Sequence, residues 1–117
     1  MQSISIILRK PPYGTVDASE AIRHTLGALT EELPVQLFLL DGGIYAARNN
    51  QDTGTTGYLS VEDGIRDCLD MGAAVFVDRQ SMETAGIKVS DLIDGVTVSG
   101  QREIAAVIKG SGTTMIF

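Results

Sequence analysis

Apolar residues in this chain come in short unbroken runs, and between the runs they recur every three or four positions. Ser3 to Leu8 is β-branched and apolar until Arg9-Lys10-Pro11-Pro12 stops it, which predicts a strand buried on both faces. Asp17 and Glu20 then stand at capping-box spacing. Ala18, Ile22, Thr25, Leu26 and Leu29 follow at helical intervals, predicting a helix of about a dozen residues that ends before Pro34. Val35 to Leu40 is a second buried run, closed by Asp41-Gly42-Gly43. A short helical piece is expected over Ile44–Arg48, and the polar segment Asn49–Gly57 reads as an exposed loop.

The second half repeats the alternation. Ser60 is placed to cap a helix whose apolar positions are Val61, Ile65, Cys68 and Leu69, with Gly72 at its end. Ala73–Val77 predicts a third strand, and Gln80–Ala85 a short helix stopped by Gly86. Val89–Ile93 suits another turn, Val96–Val98 a fourth strand, Gln101–Lys109 a helix and Thr113–Phe117 a terminal strand. Strands alternating with helices imply a three-layer α/β/α domain with a mainly parallel sheet of about five strands, flavodoxin-like in outline. The 117 residues form one such domain, without repeats or linker.

Composition narrows the function more than the fold. A net charge of −6, with nine basic residues scattered among fifteen acidic ones, argues against a nucleic-acid surface, which needs clustered cations. No apolar run approaches the ~20 residues of a membrane span, and MQSISIILRKPP has no cleavage-site pattern, so a soluble, cytoplasmic protein is expected. A single cysteine makes no internal disulfide.

In an open α/β sheet, ligands bind beyond the carboxyl ends of the strands. That rule selects Lys10 to Thr15, with Tyr13 and Gly14; Asp41-Gly42-Gly43; and Asp78-Arg79-Gln80-Ser81. None matches a nucleotide fingerprint, since GTVDAS lacks the P-loop lysine and no G-x-G-x-x-G occurs. No cofactor is therefore expected. Tight, well-capped turns explain the glycines as well as a binding role does. His24 has no second histidine or cysteine spaced for a metal and is expected on the solvated face of the first helix. Cys68 falls on the apolar face of its helix, one turn from the end, where desolvation and the helix dipole both disfavour a thiolate. Asp78 reads either as the cap of the short helix or, with Arg79, as a polar pair at the ligand edge where Arg79 would hold an anion.

PPYGTVDASEAIRHTLGAL, VQLFLLDGGIYAARNNQD, VFVDRQSMETAGI and the terminal TTMIF together resemble the DsrE/DsrF-like family, especially its DsrF/TusC-type members, over nearly the whole chain. The resemblance implies a small α/β protein of an intracellular sulfur-transfer system. Its active members carry sulfur as a cysteine persulfide, and assemble as homo-oligomers (dimer, trimer or hexamer) or with sister subunits. It also implies a reactive cysteine at the end of the third strand, eight residues before a glycine. Counting back eight from Gly86 gives Asp78. An aspartate cannot form a persulfide, and Cys68 lies one element too early. The expectation is a non-catalytic or divergent subunit that assembles with, or docks, a persulfide carrier. Tyr13, Gly14, Asp41, Gly42, Asp78 and Arg79 would line its remnant site. The alternative is a binder of a nucleotide, flavin or other anion in the same crevice. Subunit contacts are expected at Ile44–Arg48 and at Met115-Ile116-Phe117.

Overall fold

A computed structural model describes residues 2–52 and 60–117. Five strands, β1 (Ile4–Leu8), β2 (Val35–Leu39), β3 (Ala74–Asp78), β4 (Thr97–Ser99) and β5 (Thr113–Ile116), form one sheet in the order β4-β3-β2-β1-β5. Every pairing is parallel. Four helices connect them: α1 (Asp17–Thr30), α2 (Val61–Asp70), α3 (Arg79–Ala85) and α4 (Gln101–Lys109). Of the loop expected over Asn49–Gly57, residues 53–57 lie outside the described residues.

Strand order decides how the helices are shared between the two faces. From β1 to β4 the chain steps one way across the sheet, so right-handed crossovers put α1, α2 and α3 on a single face. The return from β4 to β5 runs the opposite way and puts α4 alone on the other. Side chains follow the same division. Ile6, Leu8, Leu37, Leu39, Val75 and Val77 pack with Ala21 and Ile22 of α1, Ile65 and Cys68 of α2 and Met82 of α3 in the main core. Ile7 and Phe38 face Ile104 of α4 in a smaller cluster, where the Phe38 and Phe76 rings stack with centroids 5.1 Å apart. The sheet is thus covered on both faces, but unequally. Edge strand β5 leaves Ile116 67% exposed.

Several local expectations are corrected. Asp17 does not cap α1; the cap position is Val16, and Asp17 and Glu20 lie in the first turn, where their charges meet the helix dipole. The helix runs to Thr30 and ends as Glu32 turns into the left-handed region at φ +63°. The short helical piece is a 3₁₀ turn, Asp41–Ala47, and it is not an exposed contact surface. Ile44, Ala46 and Ala47 are in the core because the turn tucks under the sheet edge; within Ile44–Arg48, Tyr45 is half-buried and only Arg48 is exposed. His24 is half-buried rather than solvated: β5 lies beside β1, which brings Phe117 within 5.3 Å of the His24 ring.

Candidate functional site

The carboxyl ends of β1, β2 and β3 are tied together by one chain of polar contacts. β2 ends in an extended Leu40, whose N–H donates to Leu8 O at 3.0 Å. The backbone then reverses through Asp41 at φ +51°. Gly43 follows in close contact with β1: a Cβ there would lie 2.1 Å from the Leu8 carbonyl oxygen. Only glycine fits this approach. Gly42 is less confined: a Cβ there would lie 3.1 Å from the Pro11 ring. The turn therefore rests directly on the end of β1, which fixes where Asp41 points.

Asp78 is the last residue of β3 and the cap of α3, as its spacing from Ser81 allows. Ser81 N–H donates to Asp78 Oδ2 at 3.2 Å, and the Ser81 hydroxyl donates to the same oxygen at 2.6 Å. Ser81 Oγ in turn accepts the Asp41 N–H at 2.9 Å, joining β2 to β3. Arg9, just beyond β1, holds the Asp41 carboxylate at 2.9 Å. That pair is exposed on both sides and contributes little to stability. Asp78 itself is only 5% exposed, and among the described residues its Oδ1 has no hydrogen-bond partner.

A depression of about 480 Å³ opens at this point, lined by Asp41, Gly42 and Asp78 with Tyr45, Gln80, Ser81, Thr84, Ala85 and Gln101. Three of the sequence-derived site residues meet here and three do not. Arg79 turns the other way: its exposed guanidinium reaches toward Val98 O at 3.5 Å and lines a neighbouring hollow with Gly100 and Glu103. Its expected role as the charge partner of an anion beside Asp78 has no geometric basis in this cavity. Tyr13 lies on a separate hollow with Arg48 and Asn49, where its hydroxyl donates to Gln51 Oε1 at 2.7 Å and accepts the Val61 N–H at 3.1 Å. Gly14 is an exposed turn residue at φ +99° and borders none of these hollows.

Sequence reasoning reached Ser81 only as part of the loop after β3, and passed over Tyr45, Thr84, Ala85 and Gln101. Ser81 carried a legible signal, since a serine three residues after a capping aspartate can reach back to it. Gln101 comes from another crossover and carried none.

Cys68 is fully buried on α2 within the main core. Burial pushes its thiol up to about 12, and the charge of Asp67 adds to the rise. Folding therefore favours the neutral thiol. The stability this brings is complete below the ordinary value of 9.0 and is lost between there and about 12, where the unfolded chain ionises first. Urea unfolding at about pH 8 and about pH 10.5 checks the sign: wild type should lose more stability between them than Cys68→Ala does. Among the described residues no three His, Cys, Asp or Glu side chains gather to hold a metal, and no helix is long and apolar enough to cross a membrane.

Together these features define an α/β protein with its candidate site at the carboxyl edge of a parallel sheet, beyond neighbouring strands β2 and β3. The chain belongs to the DsrE/DsrF-like family, whose model matches residues 2–117. It is 31% identical over 114 residues to an uncharacterized protein of Methanocaldococcus jannaschii, covering 97% of both chains. It is 33% identical over 87 residues to the intracellular sulfur oxidation protein DsrF of Allochromatium vinosum, covering 74% of this chain and 64% of that one. Among solved structures, the ychN protein of E. coli superposes over 100% of both chains with a TM-score of 0.92 at 23% identity. A protein of Methanobacterium thermoautotrophicum does so with a TM-score of 0.80 at 11% identity. At those identities the two structures speak for the fold alone.

Proposed function

We propose that this chain is a subunit of a cytoplasmic sulfur-relay system that carries no persulfide of its own and serves in assembly or in docking a persulfide carrier. Its membership of the DsrE/DsrF-like family and its likeness to DsrF support the relay. The absence of sulfur chemistry rests on one observation: the residue at the end of β3, capping α3, is an aspartate, while the single thiol lies in the core. A persulfide forms on an accessible thiolate, and Cys68 is neither accessible nor ionised at neutral pH.

Docking draws support from the unequal cover of the sheet. One nine-residue helix lies over Ile7, Phe38 and Phe76, and beside it the β5 edge exposes Ile116. A like or sister subunit seated there would bury apolar surface and pair the free edge of β5.

Native-state thiol alkylation tests the reading. Cys68 should react only as fast as the chain unfolds, so its labelling rate should rise with urea in step with unfolding. Rapid, urea-independent labelling of the folded protein would overturn the proposal.

A further inference from the structure

We propose that the outward face of α4 docks into the groove between α1 and α2 of a second copy of this chain. The inference rests on the reading of the chain as a subunit and names the two faces that meet; the sulfur chemistry plays no part in it. The groove measures about 320 Å³ and is lined by Ile22 and Leu26 of α1 and by Val61, Asp63, Gly64 and Asp67 of α2. Its floor is apolar, since Ile22 and Val61 are buried and Leu26 is half-buried. The two helices approach closely there: a Cβ on Gly64 would lie 2.8 Å from Ile22 Cδ1. Its α2 rim is acidic. The exposed positions of α2 are Asp63, Arg66, Asp67 and Asp70, which fall on one stripe. Arg66 is engaged with Glu62 at 2.8 Å, while among the described residues the three aspartates make no ion pair.

The face that fits this groove is on the same chain. Ile104, Val107 and Ile108 pack toward the sheet, which turns Arg102, Ala105, Ala106 and Lys109 outward on one exposed stripe. Glu103 lies to one side, beside Arg79 and Gly100. Arg102 and Lys109 make no ion pair among the described residues. They are separated by two helical turns, about 10 Å, as are Asp63 and Asp70. Set antiparallel, the helices bring Arg102 to Asp70 and Lys109 to Asp63, and their dipoles oppose. Between the cations the two alanines are short enough for the ridge to reach the apolar floor. Two α4 faces would set Arg102 against Lys109, and two grooves would set aspartate against aspartate, so neither face suits its own kind. The two faces lie on opposite sides of the sheet. The contact is therefore head-to-tail and builds a ring or an open chain of subunits.

Sedimentation velocity of the full chain tests the contact. One ridge about 13 Å long buries little area, so the association is weak and the series runs up to about 200 μM chain. Salt at about 0.15 M screens the net charge of −6 between copies while leaving close pairs in place. The wild type should grow past a dimer as concentration rises. Asp63→Lys with Asp67→Lys, and separately Arg102→Glu with Lys109→Glu, should each weaken association at least about tenfold, because like charges then meet. An equimolar mixture of the two double variants should recover it, since each α4 then finds a groove of opposite sign. Ala106→Glu, at an exposed mid-ridge position, should weaken it even where a double variant fails to fold. A wild type that stays monomeric or stops at a dimer, folded charge variants that associate like wild type, or a mixture that recovers nothing would overturn the proposal. Loss of assembly in Ile116→Lys, with the charge variants unaffected, would also overturn it while leaving the subunit reading in place at the β5 edge.

Discussion

Asp78→Cys is expected to turn the strand-edge cavity into a site that takes up sulfur. The introduced thiol would sit where Ser81 now offers its N–H and its hydroxyl to Asp78 Oδ2. Both donors stabilise a thiolate, and the start of α3 adds the positive end of its dipole. The thiolate would attack a sulfane sulfur of a polysulfide, forming one S–S bond while the donor's S–S bond breaks and a shorter polysulfide leaves. The new thiol should outpace Cys68 by at least about a hundredfold, since Cys68 is buried and its thiol is pushed up to about 12. Loss of the aspartate cap costs only about 1 kcal/mol, so the variant should fold. Peptide mapping after exposure to polysulfide reads the result. Sulfur on Cys68 in preference to the new thiol would mean that the β3 edge is not the reactive position of this fold.

Among the described glycines, Gly43 is where a single added methyl should do the most damage. Its Cβ would lie 2.1 Å from the Leu8 oxygen and 2.8 Å from the Leu8 carbonyl carbon. Both atoms are backbone, so no side chain can swing aside. To make room, the 3₁₀ turn must lift from β1 and break the 3.0 Å bond from Leu40 N–H to Leu8 O. Overpacking and the lost bond together cost about 3 kcal/mol or more. The same movement would displace Asp41 from Ser81, so the damage reaches the site as well as the core. Gly27→Ala is the matched control: it lies inside α1, with nothing within 4 Å of an added Cβ. There alanine should stabilise the protein by about 0.5–1 kcal/mol through helix propensity. Urea unfolding of the two variants separates the effects. A Gly43→Ala protein within about 0.5 kcal/mol of wild type would show that the turn does not rest on β1 as described.

The strands were readable from the sequence because each buried one is a short apolar run between glycines, prolines or charges. The parallel sheet followed from their alternation with helices. Ser60 at the start of α2 and Gly86 at the end of α3 were equally legible, since capping is a local matter: Ser60 Oγ accepts the Asp63 N–H, and Gly86 sits at φ +73°.

What failed depended on contacts between distant segments. Ile44–Arg48 looked like an apolar surface because nothing local says that the turn beyond β2 folds under the sheet edge. His24 looked solvated because Phe117, which covers it, lies at the other end of the chain. Asp17 stood at capping-box spacing from Glu20, but the helix begins at Asp17 rather than after it. In the site, Asp41, Gly42 and Asp78 converge because β2 and β3 are neighbours in the sheet. Arg79 diverges because successive residues at a strand-to-helix turn point in different directions, and its long side chain reaches across to β4.

The central proposal is that this chain, a member of the DsrE/DsrF-like family, carries no sulfur at the β3 edge or on Cys68. The most direct test is intact-mass measurement of the native wild-type protein after exposure to polysulfide, followed by addition of an acceptor thiol. The account predicts an unchanged mass and no sulfur delivered. A chain one sulfur atom heavier, with the adduct on Cys68 and passed on to the acceptor, would contradict it.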